Sequence, residues 1–238
     1  MKIIVSETSK KLGKKAAELA ADYLNTLIAE NGYARIAVST GASQFETFEA
    51  LIASDINWSK VEMFHLDEYA NLPESHPASF RKYLKERFVS KVNLLAANFV
   101  DGTREGIIEI SKKLLEKPVD LGLIGIGENG HIAFNDPPAD FETKEAYILV
   151  NLNNTCKKQQ VGEGWFATID DVPKQAVSMS VYQIMQCKKI ISCVPHAVKA
   201  KAVADTIDID LTNMIPATML RTHCDWTLLL DKNSAALF

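Results

Sequence analysis

Four short segments of this 238-residue chain combine polar side chains and glycine in ways that suit binding or proton transfer. They are Ser39-Thr40-Gly41-Ala42-Ser43, Asp67-Glu68-Tyr69, Gly127-Glu128-Asn129-Gly130-His131 with the nearby Asp136, and His196 with Lys199. In the first segment, glycine allows a tight turn, and hydroxyls stand beside the free N–H groups of a following helix, which suits a phosphate. The P-loop pattern is absent, and a strand-to-helix turn capped by Ser43 is the simpler alternative.

The second segment offers a carboxylate at the end of a strand. Asp67 could act as a general base if burial raises its pKa. A solvated acidic turn remains the alternative on these residues alone. His65, inside the strand, is more typical of a structural histidine.

The third segment matches G-x-G-x-x-G at residues 125–130, the pattern of dinucleotide-binding turns. That pattern requires a helix directly afterwards, whereas Pro137 and Pro138 prevent one here. We therefore reject dinucleotide binding and predict a glycine-rich loop that brings His131 and Asp136 into a crevice. A histidine near a carboxylate can move protons near neutral pH, although a structural histidine stays open as an alternative.

Lys199 stands near the start of a predicted helix. A lysine is poorly placed there because the helix dipole is positive at that end, and a bound anion would resolve the conflict. A surface lysine is the alternative.

The elements that must position these segments follow from hydrophobic periodicity. We predict strands at 2–5, 35–38, 61–65, 121–126, 189–194 and 226–231, and helices at 6–30, 44–54, 104–115 and 197–205. A further helix is capped by Ser79 and runs to about Phe88. This alternation predicts a single α/β domain over residues 1–238, with a mainly parallel sheet and helices on both faces. The polar segments follow strands, so they should share one crevice at the carboxyl ends of the sheet.

Composition excludes several classes of function. The net charge of -4 argues against nucleic-acid binding, and no apolar run approaches the ~20 residues of a membrane span. The four cysteines form no C-x-x-C pair, so we expect reduced thiols, no metal site and a cytoplasmic protein. The sequence leaves the oligomeric state open and is compatible with a homo-oligomer.

At these residues the sequence resembles the glucosamine-6-phosphate deaminase family, including its galactosamine-6-phosphate relatives. The motifs recur in family order over nearly the whole chain: STGAS at 39–43, FHLDEY at 64–69, HPASF at 76–80, GIGENGHIAFNDP at 125–137 and PHAVKAKAV at 195–203. The resemblance implies a Rossmann-like fold, no cofactor and no metal. It also implies an amino-sugar phosphate as substrate, converted from an aldose to a ketose with release of ammonia.

The resemblance further implies roles for individual residues. Asp67 would move a proton between C2 and C1 of the opened sugar, and His131 would open the ring with the help of Asp136. Asn129 stands where many members carry Asp, and Asp136 stands where they carry Glu. The resemblance implies that Thr40, Gly41, Ser43 and Lys199 hold the phosphate. We also assign Ala42 and Gly130, which lie in the neighbouring loop positions, to substrate binding.

An arginine that grips phosphate in well-known members is missing. The local stretch reads CKKQQVGEGWF at 156–166, where Lys157 or Lys158 could substitute, or could simply be solvated. This stretch looks closer to the galactosamine branch. We expect no allosteric site.

Two rival functions remain. A 6-phosphogluconolactonase would share the fold and need no C2 base, but its glycine–histidine loop typically continues toward Ser-Leu-Phe-Pro, whereas this chain has Phe134-Asn135-Asp136-Pro137. A non-catalytic sugar-phosphate sensor would need a DNA-binding module, and the first predicted strand begins at Lys2. A weakened paralogue that only binds the ligand is separated from an enzyme by turnover.

Overall fold

The computed structural model describes residues 1–162 and 164–238. Ten strands are present in this part of the chain: β1 Lys2–Ser6, β2 Ala34–Val38, β3 Val61–His65, β4 Asp67–Tyr69, β5 Ala96–Asn98, β6 Leu121–Leu123, β7 Tyr147–Asn151, β8 Gln175–Met179, β9 Lys189–Val194 and β10 Trp226–Asp231. The α-helices are α1 Ser9–Asn31, α2 Phe45–Ile52, α3 Phe80–Arg87, α4 Arg104–Leu115, α5 Asn154–Gly162, α6 Val181–Ile184 and α7 Ala200–Asp208.

Seven strands form one parallel sheet in the order β1-β10-β9-β6-β2-β3-β5. Along the chain, β2, β3 and β5 build the sheet outward in one direction, and β6, β9 and β10 build it in the other. The direction reverses between β2 and β6, where a crevice opens at the carboxyl ends of the strands. This confirms the predicted α/β architecture with a parallel sheet.

Helices cover both faces of this sheet because neighbouring strand residues point to opposite sides. In β10, Leu229 faces a core shared with α1, α2 and α3, whereas Leu228 and Leu230 face a core shared with α4, α6 and α7. All three leucines are fully buried. The predicted helices on both faces are therefore confirmed.

Side-chain caps set several helix starts. Thr8, Ser79 and Thr103 accept hydrogen bonds from backbone N–H groups in the first turns of α1, α3 and α4. Gly32 ends α1 in a left-handed conformation with φ 80°.

Several predicted boundaries were wrong. The helix predicted from residue 6 begins at Ser9, after its cap Thr8, and the helix predicted over 44–54 ends at Ile52. The strand predicted over 121–126 ends at Leu123, because the backbone pairs with β9 only as far as Ile124 and then runs irregularly to a turn at Glu128 and Asn129. The helix predicted over 197–205 begins as a 3₁₀ turn at Ala197–Lys199 and continues as α7 to Asp208.

A small antiparallel sheet, β4-β8-β7, was not predicted. It begins where the chain leaves β3. The N–H of Leu66 donates to Val38 in the large sheet, and its carbonyl accepts from Met179 in the small one. Leu66 is therefore the junction, and Asp67 is the first residue of the small sheet.

Within residues 1–162 and 164–238, no helix combines the length and apolarity that crossing a membrane requires. In the same ranges, no group of three His, Cys, Asp or Glu side chains is arranged to hold a metal ion. None of the four cysteines, all of which lie in the described ranges, forms a disulfide bond, and only Cys224 is exposed.

Candidate active site

A pocket of about 240 Å³ lies in the crevice beyond β2, β3, β6 and β9. It is lined by residues from each of the four polar segments. The candidate site residues that line it are Thr40, Gly41, Ala42, Ser43, Asp67, His131, His196 and Lys199. Asn129 and Asp136 were also expected in the crevice but do not line this pocket. The expected convergence at one rim is therefore present in the structure.

The loop after β2 forms one wall. Gly41 has φ 103° and ψ 165°, a conformation that glycine adopts without strain. A 3₁₀ turn over Ala42–Gln44 then leads directly into α2, so Ser43 lies inside the turn and does not cap the helix. Tyr83 of α3 fixes this loop by donating a hydrogen bond of 2.9 Å to the Gly41 carbonyl. Ser39 Oγ, which is buried against the pocket, has no hydrogen-bond partner in the described ranges.

Asp67 lies at the junction of the two sheets and is 6% exposed. Burial, and then the charge of the adjacent Glu68, raise the pKa of Asp67 from 3.8 to about 8. Its carboxyl is therefore poised between its acid and base forms near physiological pH, as a general acid–base group requires.

Glu68 points away from the pocket and fixes the segment that follows. Its buried carboxylate accepts hydrogen bonds from the backbone N–H groups of Tyr69, Phe80 and Arg81, and from the Ser79 hydroxyl. The Arg81 guanidinium adds an ion pair at 3.2 Å. Glu68 therefore attaches the start of α3 to β4, the strand that carries Asp67.

The side chains of Asn129 and Asp136 form a hydrogen-bonded cluster around His131. Asn129 Oδ1 lies 2.6 Å from His131 Nδ1 and accepts from the His131 N–H at 3.2 Å, while Asn129 Nδ2 donates to Asp136 Oδ1 at 3.2 Å. Asp136 Oδ1 also lies 3.3 Å from His131 Nδ1. A flipped amide would face a donor with its NH₂ and a carboxylate with its oxygen. The proton is therefore assigned to Nδ1, which leaves Nε2 as an acceptor.

The pKa values of the two carboxyl groups, Asp67 and Asp136, are shifted in opposite directions. Burial acts to raise the pKa of Asp136, but its contacts with His131 and Asn129 outweigh burial and lower it overall. Asp136 is therefore ionised at a pH where Asp67 still holds a proton. Such a separation is typical of sites that use one carboxyl for charge support and another for proton transfer.

Glycine is required at two positions of this loop for different structural reasons. A Cβ on Gly127 would lie 2.1 Å from the His131 ring, so the imidazole packs directly over this residue. Gly130 does not line the pocket, which corrects its assignment to substrate binding. It has φ 79°, a Cβ there would lie 2.7 Å from Ile215, and its carbonyl accepts from Ala217 at 2.8 Å. Its role is in the backbone.

The cationic side of the pocket differs from expectation. Lys199 is 7% exposed and lines the pocket, as does His196. Lys157 and Lys158 do not line it, so neither replaces the missing arginine at this site. Their helix, α5, instead presents Gln159 and Gln160 to the pocket.

Aromatic side chains form the remaining wall, which sequence reasoning missed. Phe80, Phe134 and Trp165 line the pocket. The rings of Phe80 and Phe134 stack with centroids 5.5 Å apart, and Tyr69 packs against both. The Tyr69 hydroxyl donates to Gln160 Oε1 at 2.5 Å. Phe80 belongs to HPASF and Trp165 to the 156–166 stretch, so motif membership was the signal that could have marked them.

Comparisons with known proteins agree with this arrangement. The family model described as glucosamine-6-phosphate isomerases/6-phosphogluconolactonase matches residues 7–229. A glucosamine-6-phosphate deaminase from Streptococcus pneumoniae serotype 4 is 32% identical over 241 residues, covering 100% of both chains. One from Lactobacillus delbrueckii subsp. bulgaricus is 31% identical, covering 100% of this chain and 99% of its own.

Solved structures extend the comparison to the fold. A structure described as a monomeric glucosamine-6-phosphate deaminase matches with a TM-score of 0.89 at 27% identity, covering 100% of both chains. A 6-phosphogluconolactonase from Trypanosoma brucei matches with a TM-score of 0.80 at 18% identity, covering 99% of this chain and 97% of its own, and so shares the fold. This chain belongs to the glucosamine-6-phosphate isomerase/6-phosphogluconolactonase family.

Proposed function

We propose that this chain is a hexosamine-6-phosphate deaminase/isomerase, which converts an amino-aldose 6-phosphate to a ketose 6-phosphate and ammonia. The observation that carries the proposal is Asp67, a buried carboxyl with a pKa of about 8, in the same pocket as His131 and the loop after β2. The proposal is also supported by the sequence identity of 31–32% to relatives named glucosamine-6-phosphate deaminase, which match over the whole chain.

The phosphate is the anchor in this proposal. Thr40, Gly41 and Ser43 offer hydroxyl and backbone donors on one side, and Lys199 offers an ammonium on the other. Binding energy from this distant group holds a flexible open chain so that its reacting carbons are oriented.

His131 opens the sugar ring. With the proton on Nδ1 held by Asn129, Nε2 is free to accept the proton of the C1 hydroxyl and to return it to the ring oxygen. The ionised Asp136 stabilises the imidazolium that forms in between, both directly and through the Asn129 amide. The amide keeps the carboxylate and imidazole in register, so Asn129 takes part without accepting a proton.

Asp67 then transfers the isomerising proton. In its ionised form it removes the C2 proton of the open-chain aldehyde and delivers it to C1, while a proton of the C2 amine passes to O1. C1 thereby becomes a hydroxymethyl group and C2 becomes an imine. Water adds to that imine and the amine departs as ammonia. The raised pKa favours this role, because a stronger base abstracts a carbon-bound proton more readily.

The sugar is proposed to be glucosamine 6-phosphate. The 156–166 stretch suggested the galactosamine branch, but the relatives of 31–32% identity carry the glucosamine name. A coupled ammonia assay with both hexosamine 6-phosphates tests this choice. A kcat/KM higher for galactosamine 6-phosphate would reverse it.

The reaction class is tested by Asp67→Asn. We expect exchange of the substrate C2 proton with D₂O, followed by NMR, to fall at least about 100-fold, while phosphate binding persists. Asp225→Asn, a half-exposed acid paired with Lys189, is the matched control and should exchange at the wild-type rate. Comparable exchange in wild type and Asp67→Asn would overturn the role of Asp67.

Assays on the same wild-type protein distinguish the proposed function from the rival lactonase and sensor functions. A lactonase needs no C2 base, and its substrate releases no ammonia. Hydrolysis of 6-phosphogluconolactone without ammonia release from either hexosamine would favour the lactonase. Binding of the sugar phosphate without any turnover would favour a sensor.

A further inference from the structure

His196 has a backbone conformation that only glycine adopts without strain. Its φ is 80° and its ψ is 146°. The N–H of His196 donates to both carboxylate oxygens of Asp231, at 3.3 and 3.1 Å, and its carbonyl accepts from the Lys199 N–H at 3.0 Å. Asp231 is 2% exposed and is itself fixed by the Ser234 N–H at 2.8 Å. The conformation is therefore held from both sides.

Glycine would meet the same backbone requirement without strain. The chain uses glycine at five other described positions with positive φ: Gly32, Gly41, Gly102, Gly130 and Gly164. At 196 it keeps an imidazole instead, beside the pocket. A side chain retained where the backbone favours glycine indicates that the side chain itself is used.

The position of His196 indicates what that use is. It lines the same pocket as Ser43 and Lys199, and the two walls are tied together because Gln44 Nε2 donates to the Cys193 carbonyl at 3.2 Å. The imidazole of His196 makes no hydrogen bond to any residue in the described ranges. Its donor capacity is therefore available to a ligand.

The charge of the pocket supports the same conclusion. A phosphate monoester carries a charge of about -1.5 to -2 near pH 7. Among the described residues that line the pocket, Lys199 is the only lysine or arginine. A single ammonium leaves most of the oxygen acceptors of a phosphate dianion to other donors, and a second nitrogen donor on the same wall would add a hydrogen bond.

We propose that the His196 imidazole donates a hydrogen bond to the substrate 6-phosphate, next to Lys199. This inference rests on the proposed function, because it takes the ligand to be a sugar phosphate. It adds a phosphate ligand outside the loop after β2 and gives a reason for the backbone strain at 196.

Two variants separate the side chain from the backbone. His196→Gly removes the imidazole and relieves the strain, whereas His196→Ala removes the imidazole and keeps the Cβ. Both should raise KM for glucosamine 6-phosphate and Kd for inorganic phosphate about tenfold, with kcat changed less than about threefold. The Tm of the glycine variant should exceed that of the alanine variant by at least about 2 °C.

Asn71→Gly is the matched control, because Asn71 also has a positive φ (58°) but does not line the pocket. It should leave KM and Kd unchanged. Wild-type phosphate affinity in His196→Ala would overturn the proposal, whatever the glycine variant does. A loss of Tm in the glycine variant as large as in the alanine variant would show that glycine relieves no strain at 196, and would overturn the argument from the backbone.

The two proposals fail in different ways. If wild-type protein releases no ammonia from either hexosamine 6-phosphate, the proposed function falls. Weaker binding of inorganic phosphate by both His196 variants would still support the phosphate contact. Conversely, normal turnover and unchanged phosphate affinity in the variants would remove His196 and leave the proposed function intact.

Discussion

Replacing Asp67 by asparagine should stabilise the fold increasingly as pH rises. The pKa of Asp67 is about 8 in the folded protein, against 3.8 for an ordinary aspartate. Between these two values the unfolded chain has lost the Asp67 proton and the folded protein still holds it. Raising the pH through this window therefore favours unfolding, by up to about 1.4 kcal/mol per pH unit.

The size of the effect follows from the width of that window. Over the three pH units between about 4 and 7, Asp67 destabilises the wild-type fold by up to about 4 kcal/mol, and the effect levels off above pH 8. Asparagine has nearly the same shape and does not titrate. The variant and wild type should therefore have similar unfolding free energies at pH 4, and the variant should be the more stable at pH 7.

Urea denaturation of both proteins at pH 5, 6, 7 and 8 measures this difference. Groups other than Asp67 titrate in both proteins, so their contributions cancel in the comparison. Asp225→Asn serves as the control, because its half-exposed carboxylate should give a small offset without this pH dependence. A stability difference that is flat with pH, or that favours the wild type at pH 8, would refute the assignment of a raised pKa to Asp67.

Three further substitutions test other parts of the site. Lys199→Ala should raise KM for the hexosamine phosphate about tenfold or more with little change in Tm, and an unchanged KM would remove the ammonium from the phosphate site. Glu68→Gln should lower the unfolding free energy by about 2–4 kcal/mol in urea titrations, because an amide cannot replace the buried ion pair with Arg81 and the converging N–H bonds; a loss below about 0.5 kcal/mol would contradict this. Gly127→Ala should lower kcat at least about tenfold with nearly normal Tm, since the new methyl displaces the His131 ring. Wild-type kcat in this variant would show that the ring position is not required.

The large sheet was predictable because its signals are local. The strands β3, β9 and β10 are short, predominantly apolar segments, and their predicted bounds agree with the structure. The helix α4 was also predicted with its observed bounds, and its capping residue Thr103 directly precedes it. Such elements depend on short-range patterning and capping, which the sequence displays directly.

The small sheet was not predictable in the same way. Its pairing joins Asp67 to Ser178 and Tyr147 to Met179, residues far apart in the chain. The β7 segment YILVN is only half-buried at most positions and has no clear alternation. Strand formation there depends on the tertiary partner more than on local propensity.

The site residues that directly follow a strand of the large sheet could be predicted from the sequence. Those that reach the pocket from other elements could not. Asp67 and His131 were expected in the crevice because the carboxyl ends of parallel strands meet there. Gln160 reaches the pocket from α5, and the aromatic wall is assembled by packing, so neither could be placed from spacing. The strain at His196 is a property of φ and ψ, which the sequence does not display.

The connection from Glu68 through α3 has a consequence for which molecules can react. Glu68 fixes α3 beside Asp67, and Tyr83 of the same helix fixes the Gly41 carbonyl in the loop proposed to hold phosphate. The distance between Asp67 and this loop is therefore set by one helix. If the two groups act as proposed, this distance selects substrates by the length of their carbon chain. A pentose 5-phosphate bound through its phosphate in the same loop would be one carbon too short for its C2 to reach the Asp67 carboxyl. We therefore expect it not to react, because of its length alone.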